Sequence, residues 1–506
     1  MKVLDLELHR DDIDTEVLQQ FGVLEMEKNA KVIEAGESLE KNLRRIQDLL
    51  KQDVEELKKD VFRYLHQTRI QSFEQICPYL NTPIPYKVMG SMSLEQSQVE
   101  PINYSVDEQV MAFDKKGNEV ILHPMINAQF LPCYIHERAF LNNVLTVKLK
   151  NNSGFFYLEN DYIDLWVFDA NEQVASFIFD EINKASFRLN FDFDNGGTVH
   201  KAVKVKPLHY AYAHPNERRR DELRDGRFYY GLRLNFENDF MHLEVKEAQL
   251  DISKITSLFS ESSLEKDRIK GALEVNYVPL INYQSHFAMQ VPLDGIRDSY
   301  PLISEQGREL SLLKIFSVKV SKDTGEHVKI YPSVISDSHA LSFDLIRPCH
   351  VRKIKHSHIM VYNPSYGEDL SLQIDAAWFD PRREIGELSK FRFISKPVEK
   401  ISIKTVYYTE SCSEMVFDME VMHKVQYLTY QKTLTASDLR SFLTLMTSEE
   451  RVQNKLKFLN EYLELNPDVI YQGDACQYMY LHEDSVENAY LNKILLRLLI
   501  MLKSLR

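Results

Sequence analysis

The sequence predicts an α+β protein, with N-terminal amphipathic helices, a β-rich multi-domain middle built on hairpins, and a helical C-terminal segment. Three observations predict it. Apolar residues recur at three- and four-residue steps from Ser38 to Arg69; between about residues 100 and 430 that period gives way to short alternating runs broken by turn residues; and from Ala436 the helical period returns. At 506 residues the chain exceeds what one core supports, and roughly three domains of about 150 residues is the expectation. The shifts in pattern place the limits at 1–76 for a helical bundle or assembly handle, 77–260 and 261–432 for two β-rich domains, and 433–506 for the helical end.

In the first segment, Leu39, Leu43, Ile46, Leu50, Val54, Leu57, Val61 and Leu65 line one face of a helix and charges fill the other. Leu43, Leu50, Leu57 and Tyr64 keep a seven-residue step, but Asp53 and Asp60 stand where a strict heptad needs apolar groups, so a bundle seam is favoured over a long two-stranded coil. A helix of about 32 residues is roughly 48 Å long. Upstream, TEVLQQFGVLEMEKNAKVIEA is a second, weaker amphipathic helix with Gly36 as its stop. Downstream, Pro78, Pro83 and Pro85 force the chain out of helix, the last two pushing Thr82 and Ile84 into extended geometry.

The middle reads as hairpins. SFRLNFDFDNGGTVHKAVKVK puts Phe187, Leu189, Phe191 and Phe193 on one face and turns at Asn195-Gly196. MAFDKKGNEVIL and FSVKVSKDTGEHVKIY repeat the arrangement around Gly117 and Gly325. Helices interrupt at EQVASFIFDEINKA and around SKITSLFS. NERRRDELRDGR, with five arginines against four carboxylates, reads as a solvated helix or loop rather than a phosphate clamp.

The formal charge of −14 argues against general nucleic-acid binding. Five scattered cysteines, without C-x-x-C spacing, point to a reducing compartment rather than a disulfide framework. The start of the chain does not read as a secretory signal, and the longest apolar run, ILLRLLIMLKSL, is about half a membrane span and contains Arg497. Cys349, His350, His356 and His358 are zinc-binding types at poor spacing, and a basic solvated strand is the better reading. DFDNGG opens like a calcium loop, but Val203 occupies the twelfth position, where a bidentate Glu is required. No nucleophile elbow, phosphate loop, dinucleotide fingerprint or H-E-x-x-H motif occurs. No catalytic residue, cofactor or metal is therefore nominated. The competing class is a β-rich carbohydrate-active enzyme with a helical N-terminal extension, which would need a cleft with two carboxyl groups about 5–9 Å apart.

Several segments, in order, resemble the TssF (ImpG/VasA) family, a baseplate wedge subunit of bacterial type VI secretion systems. YLNTPIPY is similar to a segment following that family's N-terminal helix, LENDYIDLWVFDANEQVASFIFDEI to its strand, acidic turn and helix, and GRFYYGLRLNFENDFMHLEVKEAQL to its aromatic strand pair. The most specific match is ALEVNYVPLINYQSHFAMQVPLDGIRDSYPLI, followed by FSVKVSKDTGEHVKIYP and SKPVEK. The chain resembles a divergent subtype. The resemblance implies structural work in the cytoplasm, docked at an inner-membrane complex. Its implied partners are a second copy of the chain, a TssG-like subunit, a TssK-like adaptor, TssE-like and sheath components and a VgrG-like spike. A long apolar stripe wants other chains to cover it, and Leu43, Ile46, Leu50, Leu57 and Val61 are the expected contact. The alternative is that this face buries against the chain's own helices around Leu495, Leu498 and Leu502.

Overall fold

The structure, a computed structural model, describes most of residues 83–411 together with scattered positions in 47–58 and 433–500. It divides into two compact units, Met1–Arg69 and Ile70–Arg506. In the first, each described position from 47 to 58 is helical. The weaker upstream helix, Leu43, Ile46, Val61 and the Pro78 turn lie outside the described residues. The second unit is a β-rich assembly of several sheets with few helices.

Past Pro83 and Pro85 the chain enters strand Lys87–Leu94, as the extended geometry forced by those prolines requires. This strand lies in an antiparallel six-stranded sheet ordered Ser389–Phe393, Val110–Phe113, Glu119–Pro124, Tyr277–Ile281, Lys87–Leu94, Ile401–Thr409. This sheet draws strands from both sides of residue 260 in the sequence. The sheet curls, Thr405 donating its hydroxyl to the carbonyl of Leu388 at 2.9 Å, and Val88, Val110, Leu122, Val278 and Leu280 fill its core. Two asparagines pin its central strand. Asn276, at φ +61°, donates to the carbonyls of Leu131 and Cys133 and accepts from the Leu131 amide, while fully buried Asn282 donates to the Ile121 carbonyl and accepts from the Asp380 amide.

Against it stands a four-stranded sheet containing Tyr162–Val167 and Gly231–Asn235. Both faces of Tyr162–Val167 are covered: Trp166 joins the core of the six-stranded sheet, and Leu165 and Val167 join the core beneath the next layer. Such double burial is why DLWV reads as a continuous run rather than an alternation. The third layer is the five-stranded sheet ordered Thr198–Ala202, Ser186–Phe193, Val245–Ser253, Val144–Lys150, Tyr134–Leu141. Its hairpin is as the alternation predicts, with Phe187, Leu189, Phe191 and Phe193 buried and Gly196 at φ +78° in the turn. The hairpin around Gly117 is also present, with Gly117 at φ +81°. The aromatic strands Gly231–Asn235 and Val245–Ser253 do not pair with each other; each serves a different sheet.

Helix α1, Glu172–Lys184, is capped by Asn171, whose side chain accepts from the amides of Gln173 and Val174, and it buries Ala175, Ile178 and Ile182 in the sandwich core. Helix α2, Pro215–Arg224, corrects the reading of the arginine-rich stretch as solvated: Asp221, Glu222 and Leu223 are buried. The expected helix around SKITSLFS lies mostly outside the described residues, and α3 follows at Ser263–Ala272.

Besides two two-stranded sheets, Ile102–Tyr104 with Ala128–Phe130 and Thr433–Thr435 with Ile470–Gln472, there is an eight-stranded sheet that closes on itself as a barrel. Its strand path runs from Gln284–Phe287 through Leu370–Phe379, Ser311–Lys322, His327–Pro332 and Ser342–Ile346 to His358–Tyr362. All these pairings are antiparallel except that of His327–Pro332 with Ser342–Ile346. Residues 300–305 close it: Tyr300–Pro301 pairs with His358–Ile359, and Ser304 bridges Ala288 beside the first strand. Closure removes open edges that would otherwise template pairing with other chains. Trp378, Leu372, Ile374, Val318 and Val320 fill the interior.

Candidate functional site

The described positions of the predicted contact row are Leu50, which is half-buried, and Leu57, which is 65% exposed; neighbouring Leu49 is also exposed. Leu57 therefore presents a large apolar side chain to solvent.

A buried ionic cluster holds the second unit together. On α2, Asp221 is bonded by the ammonium of Lys87 from strand Lys87–Leu94, and the Tyr229 hydroxyl donates to the same carboxylate at 3.0 Å. Beside it, Glu222 takes Arg218 at 2.7 Å and Arg497, from the C-terminal helical stretch, at 2.8 Å. Tyr490 donates to Glu172 on α1 at 3.1 Å, and Lys493 reaches Asp180 at 2.8 Å over the ring of Phe179. Burial lowers the pKa of Lys493, with Asp180 opposing the shift. Leu491, Ile494 and Leu495 of this stretch are buried, and its polar residues clamp α1 and α2. Sequence reading missed the cluster because its members lie as far apart as residues 87 and 497. The signal available was the near balance of charges in NERRRDELRDGR, which suits a paired interior as well as a solvated surface.

The same pairing bears on the enzymatic alternative. Among the described residues the buried carboxylates Asp114, Asp164, Glu181, Asp221, Glu222 and Asp225 each face a lysine or arginine, so they are tied up as structural ion pairs. Among the described residues no cluster of three or more His, Cys, Asp and Glu is placed to hold a metal ion, and Cys349 and His350 lie outside them. Burial in the sandwich core pushes the Cys133 thiol up to about 12, leaving it a small apolar group. No helix among the described residues is long and apolar enough to cross a membrane.

Among the described residues the barrel exterior carries the largest concentration of exposed apolar side chains. Phe287, Met289 and Ile303 stand out near the closing seam, and Phe316 and Tyr331 further round the wall. Inward neighbours Ala288 and Ser304 are buried, so Phe287, Met289 and Ile303 are the other half of a regular alternation.

No protein-family model and no curated protein matches the sequence. Among solved structures, the chain is similar to a chain of the type VI secretion system TssK-TssF-TssG baseplate subcomplex seen by cryo-electron microscopy. The TM-score is 0.61 at 12% identity, over 83% of this chain and 84% of that one. It is also similar to a chain of the baseplate complex from the type VI secretion system, with a TM-score of 0.51 at 12% identity over 86% and 82% of the two chains. The layered sheets and barrel are thus a fold found in type VI secretion baseplate assemblies.

Proposed function

We propose that this chain is a structural subunit of a type VI secretion baseplate, of the TssF-like wedge type, working by binding rather than catalysis. The observation that supports it most is the shared fold over 83% of this chain and 84% of its baseplate neighbour, a correspondence of whole chains rather than of one common module. In this reading the chain joins a TssG-like subunit and a second copy of itself. The resulting wedge meets a TssK-like adaptor, TssE-like and sheath components and a VgrG-like spike, in the cytoplasm at an inner-membrane complex. Residues 1–76 are the assembly handle, with Leu43, Ile46, Leu50, Leu57 and Val61 as its contact row; the exposure of Leu57 supports this. Residues 77–432 are the β-rich body. In-frame deletion of the gene in a host with fluorescent sheath protein tests the role: sheath assembly should stop and return on complementation. Normal assembly in the deletion strain would refute it.

A further inference from the structure

On the barrel wall, strands Ser311–Lys322 and His327–Pro332 turn Val318, Val320 and Ile330 inward, where they are buried. Their register sets Val318 against Ile330 and Lys319 against Lys329. Two exposed lysines therefore stand at directly opposed positions of an antiparallel pair. Like charges at directly opposed positions destabilise a sheet. No described carboxylate forms an ion pair with either lysine; Gln373 opposes Lys319 on the far side, and Lys329 lies 5.3 Å from the centroid of the Tyr331 ring. Tyr331 is 49% exposed, and Phe316, set out by a bulge between Ile315 and Ser317, is 44% exposed. A basic and aromatic stripe of this kind runs against the grain of a chain with 75 acidic and 61 basic residues.

We propose that this stripe is a docking surface for an acidic segment of a partner protein, one that brings carboxylates to Lys319 and Lys329 and apolar side chains to Phe316 and Tyr331. Opposed lysines supply the charge complementarity, since a carboxylate laid between them relieves their repulsion and gains two charge-assisted contacts. Flanking rings supply the apolar anchor typical of interface centres. A polyphosphate backbone or anionic bilayer is a poorer fit, because a net charge of −14 repels an extended anion and such surfaces engage many cations at once. The stripe belongs to the barrel and does not depend on the baseplate assignment.

The test uses the full-length chain and three fluorescent or light-scattering probes: a peptide mixing Glu with Leu and Phe, the same peptide with Lys for Glu, and phosphatidylserine vesicles. A single-stranded oligonucleotide serves as a fourth. The acidic peptide should bind, more weakly as salt rises, and Lys319→Glu should weaken it about tenfold or more. Lys319→Glu should also raise the urea midpoint of the free chain, because it sets opposite charges across the register. That combination, a more stable protein that binds worse, is not what a merely structural role for Lys319 produces. Lys329→Gln is the second variant and should weaken binding without reversing a charge. Equal binding of the acidic and basic peptides, unchanged binding in both variants, or binding of vesicles or oligonucleotide in place of the acidic peptide would each overturn the proposal.

Discussion

Replacing Asp221 by Asn tests how the second unit is held together. The side chains of Lys87 and Asp221 are only 4% and 6% exposed, and their contact joins α2 to the six-stranded sheet. Asparagine keeps the shape and an oxygen able to accept from the Tyr229 hydroxyl, so the change removes the negative charge with little else. Lys87 then keeps its buried charge but loses the Asp221 carboxylate, a defect that costs about 3–5 kcal/mol. With a urea slope near 3 kcal/mol/M, the unfolding midpoint should fall by about 1–1.7 M. The chain's two tryptophans separate the report: Trp166 sits in the core that includes Tyr229, and Trp378 in the barrel. In a Trp378→Phe background the fluorescence of Trp166 should show the loss. The double change Lys87→Met with Asp221→Leu should restore most of it, since a well-packed apolar pair replaces a buried ion pair at little cost. An unchanged midpoint in the Asn variant would show that the Lys87–Asp221 pair does not hold α2 to the sheet. So would a double variant as unstable as the single one, which would locate the effect in packing.

Gly231→Ala should destabilise the layered body by about 1–3 kcal/mol, because its new methyl would meet the Leu208 side chain and come within 3.0 Å of the Trp166 ring; urea unfolding read at Trp166 checks it. Burial lowers the pKa of His123, His286 and His358 below the ordinary histidine value. The unfolded chain therefore takes up protons first as pH falls through about 6.5, and stability present above that pH should be lost below it. Urea midpoints at pH 7.5 and 5.5 should show the drop, and His286→Gln should reduce it. Leu57→Asp should shift the unfolding midpoint of the free chain by less than about 0.5 kcal/mol equivalent, as expected for an exposed position, yet reduce co-purification with baseplate partners.

Local features were legible in the sequence, and the long-range ones were not. Alternation at Phe187, Leu189, Phe191 and Phe193 and the turn at Gly196 follow from backbone geometry over a few residues, and the same holds for the helical run of α1. The prolines at 83 and 85 announced the entry into strand Lys87–Leu94. Sheet membership was a different matter. That Lys87–Leu94 lies between Tyr277–Ile281 and Ile401–Thr409 depends on contacts between segments hundreds of residues apart, for which period-two patterning gives a face but no partner. The pairing of Lys87 with Asp221 and of Arg497 with Glu222 was hidden for the same reason. Closure of the barrel by residues 300–305 left only a short run of strand, too brief for any periodicity to show. The exposed side of Lys319, Lys329 and Tyr331 was visible as an alternation, but that the two lysines meet follows from the register across the turn.

Co-expression of the full chain with the products of its neighbouring genes, followed by mass determination of the purified particle, is the decisive measurement of whether the chain is built into a baseplate. A baseplate subunit should emerge as a stable complex holding the chain together with a TssG-like subunit, at about two copies to one in a wedge arrangement. A monodisperse monomer that leaves every such partner in the flow-through would contradict it.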